Sequence, residues 1–107
     1  MNKSDHEMLC TLGFTLVEEA TDYLYWLYSI TVREATLRLS WSLTDCSMQT
    51  SIQFDGTVIS KVCSEGLTSC RATEDGVEGI FNLGDFVTTL RVNVHPALRV
   101  EWDTLRV

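Results

Sequence analysis

The sequence holds a single proline, Pro96, and only six scattered glycines in 107 residues. There is thus no Pro/Gly/Ser-rich linker to separate domains, and no glycine-rich loop to cradle a phosphate. One domain spanning residues 1–107 is expected. A chain of that length buries roughly two thirds of the surface its unfolded state exposes, with no need of a metal or a disulfide. Long apolar runs are also missing. The longest, YLYWLYSI over residues 23–30, is far too short to cross a bilayer. The opening MNKSDHE is polar with no apolar h-region after it, so a Sec signal is not expected and the cytoplasm is the expected compartment. Basic residues are scarce: 8 Lys and Arg stand against 15 Asp and Glu, a net charge of −7. That balance disfavours nucleic acid and anionic membrane surfaces as partners, and favours a basic partner or simple solubility.

Paired cysteines are lacking too. Cys10, Cys46, Cys63 and Cys70 include no CxxC, whereas zinc sites bring ligands in close pairs on a tight knuckle. His6 and His95 are the only histidines, and neither lies at ligand spacing from another candidate. In a reducing compartment free structural thiols are the expected state. Cys63 and Cys70, either side of a Gly-containing turn, would be the pair to bond if one formed. Neither a metal nor a cofactor is expected. No GxSxG elbow and no Cys–His setting of a known nucleophile is present. His6 in a first helical turn and His95 beside Pro96 read as exposed, and Glu74, Asp75 and Glu78 lack the spaced oxygens of a calcium loop. The chain is therefore not expected to be an enzyme.

What the sequence does contain is patterning. In SDHEMLCTLGF, Ser4 can cap a helix with Glu7 closing a capping box. Met8, Leu9 and Leu12 share one face, and Gly13 is a natural stop. From Asp22 the period falls to two. YLYWLYSIT is rich in aromatic and β-branched residues. EATLRLSWSL places Ala35, Leu37, Leu39, Trp41 and Leu43 on one side and Glu34, Thr36, Arg38, Ser40 and Ser42 on the other. SMQTSIQF repeats the alternation, and Asp55-Gly56 supplies a hairpin turn before TVISKVC. A weak strand at Thr68–Thr73 is followed by strands at VEGIFNL, VTTLRVNVH and LRVEW, with Thr88, Leu90, Val92 and Val94 sharing one face of VTTLRVNVH. The expected fold is α+β: a short N-terminal helix followed by a mostly antiparallel, curled sheet of about seven strands, with an all-β sandwich as the alternative.

In its size, its acidic balance and its helix-then-sheet plan, the chain resembles the immunity proteins of bacterial contact-dependent inhibition and other polymorphic toxin systems. The resemblance implies a cytoplasmic antidote that binds and neutralises a cognate toxin domain, a nuclease with a basic cleft being the expected kind. Acid gathers in residues 5–22 and again in 65–85. Glu18, Glu19, Asp22, Glu74, Asp75 and Glu78 are therefore the candidate partner-binding residues, steering a basic protein electrostatically. The uncharged Ser/Gln/Thr faces of the middle strands are either hydrated or the footprint of a partner. A different reading makes the domain a small-ligand binder or minor enzyme with Tyr23, Tyr25, Trp26 and Trp41 lining a pocket. A homodimer formed through an edge strand is a third.

Overall fold

A computed structural model of the chain describes residues 2–20, 22 and 24–106. It shows one helix, α1 (Lys3–Leu12), then strands β1 (Thr15–Ala20), β2 (Tyr25–Val32), β3 (Ala35–Ser42), β4 (Ser47–Phe54) and β5 (Thr57–Glu65). After these come β6 (Leu67–Ala72), β7 (Gly76–Asn82), β8 (Phe86–Asn93) and β9 (Arg99–Arg106). β1 to β5 form one antiparallel meander and β6 to β9 a second. The α+β class and the antiparallel meander agree with the sequence pattern. The single curled sheet of about seven strands does not, since among the described residues nine strands divide between two sheets.

The division has a local cause. Only Gly66 separates β5 from β6. Its φ of +80° is the left-handed conformation that side chains resist, and a Cβ there would lie 2.4 Å from the carbonyl oxygen of Asn82. Around it the Leu67 N–H donates to the Cys46 carbonyl and the Asn82 N–H to the Gly66 carbonyl, each at 2.8 Å. One chain thus leaves the first sheet and enters the second at a single residue.

The helix starts two residues before the expected cap. Asn2, not Ser4, is the N-cap. Its side-chain oxygen accepts from the Asp5 N–H at 2.9 Å, and the Asp5 carboxylate accepts from the Asn2 N–H at 3.0 Å. Asn2 and Asp5 satisfy the same rule as Ser4 and Glu7. Asp5 wins because its other oxygen also accepts the Ala72 N–H at 2.9 Å, which ties α1 to β6. Gly13 ends the helix as expected, at φ 108°. Leu9 is fully buried and Leu12 partly so, but Met8 is exposed.

Strand β1 carries no alternation to read. It is an edge strand, exposed along nearly its whole length, and a bulge between Leu16 and Glu18 breaks its period. In the middle of β3 and β4 the period-two pattern holds, whereas Leu43, expected on the buried side, is exposed and Ser42, expected on the wet side, is buried. Leu37, Leu39 and Trp41 of β3 and Met48 and Thr50 of β4 point inward. Across the core stand Val77 and Phe81 of β7 and Leu90 and Val92 of β8, with Leu9 and Phe14 packed into the same cluster. Trp102 Nε1 donates to Thr50 Oγ1 at 3.3 Å across the sheets.

Candidate partner-binding surface

The structure scatters the candidate acids more widely than the sequence suggested. Glu18 and Glu19 lie on β1 opposite Leu27 and Trp26, so they face opposite sides of the first sheet. Asp22 is exposed between β1 and β2. Glu74 and Asp75 occupy the turn from β6 to β7, and both are exposed. Glu78 is different. It sits on β7 between Arg71 of β6 and Arg91 of β8. One carboxylate oxygen lies 3.2 Å from Arg71 and the other 3.7 Å from Arg91. Together with the Arg99–Glu101 pair, this makes the outer face of the second sheet a ladder of compensated charge. Glu78 is thus not a free acid for a partner.

Helix α1 joins two of the remaining acids into one surface. On one flank an open groove of about 460 Å³ is lined by Lys3, His6, Leu16, Glu19, Trp26 and Tyr28, among others. On the other, a groove of about 370 Å³ holds Glu7, Met8, Thr11, Leu12 and Glu74. Glu7, Glu19 and Glu74 therefore border a strip that crosses the helix, with exposed apolar side chains, Met8 and Leu16, between them.

The first groove has an ordered floor. Trp26 Nε1 donates to Glu19 Oε1 at 3.3 Å, which fixes the carboxylate beside the indole. His6 Nδ1 and the Tyr28 hydroxyl lie 2.7 Å apart in one hydrogen bond. The His6 ring centroid is 5.4 Å from Trp26 and 5.8 Å from both Tyr28 and Trp41. Beneath, Tyr28 and Trp41 stack at 5.5 Å with planes 6° apart. Aromatic faces beside a fixed carboxylate suit a guanidinium or ammonium group. His6 is thus half-buried in a ring cluster, not solvated, because the helix lays its first turn on the sheet face that carries Trp26 and Tyr28. Nothing in the sequence around His6 signals this, since the ring partners come from β2 and β3.

Burial among these rings holds the His6 imidazole below its ordinary value of 6.5, against the pull of the Glu19 and Asp5 charges. Burial likewise pushes the Tyr28 phenol up. A lowered folded value means that the unfolded chain takes up this proton first. The contribution of His6 to stability is whole above its ordinary pKa and is lost as the pH falls through the lowered value. Between pH 7.5 and 5.5 the fall in unfolding free energy should be shallower for His6→Gln than for the parent chain. Equal slopes in urea titrations would contradict this.

The described aromatics of the proposed ligand pocket divide between two faces of the first sheet. Trp26 lines the groove, whereas Tyr25 borders a hollow on the opposite face that Trp41, only 1% exposed, also touches. Tyr23 lies outside the described residues. The buried Trp41 Nε1 has no hydrogen-bond partner among the described residues. All four cysteines are free, and Cys10, Cys46 and Cys63 are exposed. Cys70 packs against the core, and burial pushes its thiol up to about 12, which keeps it protonated and unreactive. Among the described residues no group of three His, Cys, Asp or Glu side chains is placed to hold a metal ion. None of their helices is long and apolar enough to cross a membrane.

A solved structure has the same fold. It is a chain of a contact-dependent growth inhibition toxin–immunity protein complex from Klebsiella pneumoniae 342, matched with a TM-score of 0.79. The likeness covers 94% of this chain and 93% of that one, at 14% identity. The resemblance read from overall build is thus met in three dimensions, and at this identity it is a likeness of fold. No protein-family model and no curated protein matches the sequence.

Proposed function

We propose that the chain is an immunity protein, an inhibitor that binds a cognate toxin domain and silences it by occlusion. The observation that carries this reading is the fold shared end to end with a chain of a toxin–immunity complex. Charge favours the immunity role over the toxin role. A net charge of −7 repels the phosphate backbone that a nuclease toxin must hold, and complements the basic cleft such a toxin offers. The strip bordered by Glu7, Glu19 and Glu74 is the face we assign to that cleft, with the Trp26–His6–Tyr28 groove receiving a basic side chain of the toxin. Glu18, Asp22 and Asp75 extend the field around it and speed encounter, while Glu78 is spent on Arg71 and Arg91. We place the protein in the cytoplasm, where a nuclease toxin finds its substrate.

The test is growth. Cells expressing the C-terminal domain of a large secreted toxin encoded beside this gene should be rescued by co-expression of the chain, and not by an unrelated immunity protein. Failure to rescue, with both proteins present and soluble, would remove the reading.

A further inference from the structure

The outer face of the first sheet is unlike that of the second. Register aligns its outward side chains into rows across the strands. One row runs Glu18, Leu27, Ser40, Gln49 and Cys63, and the next runs Thr15, Ser29, Arg38, Ser51 and Lys61. The second sheet covers its solvent face with paired charges, whereas here hydroxyls and amides dominate. Ser40, Gln49, Ser51 and Gln53 are half-buried although they face away from the core. The face is concave: a hollow of about 240 Å³ over Arg38, Ser51 and Lys61 adjoins one of about 220 Å³ over Ser42, Ser47 and Cys63, with Tyr25, Ser40 and Gln49 lining both.

Charge in the hollow is of the minority sign. Arg38 and Lys61 stand either side of Ser51, about 10 Å apart at the backbone, two inter-strand spacings. Arg71, Arg91 and Arg99 elsewhere have carboxylate partners, but among the described residues neither Arg38 nor Lys61 does. The nearest acid in these rows, Glu18, is on the β1 edge, two strands from Arg38, and Asp45 lines only the adjoining hollow, hydrogen-bonded to Ser42. Two cations with no carboxylate partner among the described residues thus stand either side of one hydroxyl, in a face of hydrogen-bonding groups with Tyr25, Leu27 and Val58 on its walls, and this local positive charge on an acidic molecule complements an acidic side chain. An incoming carboxylate would reach both long side chains, while the Ser and Gln side chains bond to the backbone on either side of it.

We propose that this concave face is a second docking surface, which seats an extended toxin segment with its aspartate or glutamate between Arg38 and Lys61. The inference rests on the immunity reading and adds to it a contact of opposite sign from the acidic strip. Such a contact discriminates among toxins, because a variant toxin with a basic or bulky residue at that point is repelled.

The test measures affinity for the toxin domain encoded beside the gene, by calorimetry, for the parent chain and three variants. Arg38→Glu/Lys61→Glu should bind roughly 100-fold more weakly and Arg38→Gln/Lys61→Gln roughly 10-fold more weakly. Ser51→Phe, which fills the hollow without changing charge, should also weaken binding. All alter outward side chains, so thermal melts should stay near that of the parent, and the Gln pair decides the matter if the reversal variant fails to fold. Parent-like binding by the reversal and Gln variants overturns the second surface and leaves the immunity reading intact. No binding by the parent chain overturns both.

Discussion

Reversing Glu7, Glu19 and Glu74 together to lysine is expected to weaken toxin binding by about 1000-fold, about 4 kcal/mol. Two effects add. The field that steers a basic partner is lost, which slows association by roughly 10- to 1000-fold at low salt. Glu19 also lies against Trp26 in the groove, where a lysine would meet the arriving cation with like charge and speed dissociation. Salt separates the two effects: the association term shrinks as ionic strength rises and the dissociation term persists. Glu78→Gln is the control. Its carboxylate is already shared by Arg71 and Arg91, so binding should be unchanged, and stability should fall by about 1 kcal/mol for ion pairs whose arginines are more than half exposed. A triple variant that binds like the parent chain would place the toxin on another face.

A large effect on stability is expected at the corner between the sheets. Gly66→Ala should cost about 3 kcal/mol, from the left-handed backbone strain of a side chain and from its collision with the Asn82 carbonyl. Gly56, in the β4–β5 turn, has φ +79° but nothing within 4 Å of an added Cβ, so Gly56→Ala isolates the backbone contribution and should cost only about 1 kcal/mol. The difference reports the close approach at Gly66 alone. For a domain of this size it corresponds to roughly 10 °C in melting temperature. Equal losses for the two variants would mean that the corner tolerates a side chain and that the sheets are not pinned there.

This glycine shows why the sequence pattern yields the strands and not the architecture. Alternation in Leu37–Leu39–Trp41 and in Met48–Thr50 states which side of each strand is wet, and both sets are buried as expected. It does not state where one sheet ends. In SEGLTS a single glycine between two strand-like segments looks like any short turn, and only the third-dimensional approach to Asn82 makes it a corner. β1 is hidden for the opposite reason, since an edge strand wet on both sides has no period to detect. Among the candidate acids, Glu19 and Glu74 border the strip across the helix. Charge alone does not distinguish them from Glu78, whose neutralising arginines lie on β6 and β8, 7 and 13 positions away in sequence. His6 and Tyr28 were illegible as a pair because 22 residues separate them and their meeting depends on how the helix docks.

The central claim is that a surface, and not a reactive group, does the work, and stoichiometry tests it most directly. Purified chain titrated into a fixed amount of the purified toxin domain should reduce the toxin's activity in a straight line to zero at one molecule per molecule. Activity that persists at excess chain would contradict inhibition, and loss of activity at far less than one equivalent would mean that the chain modifies its target catalytically.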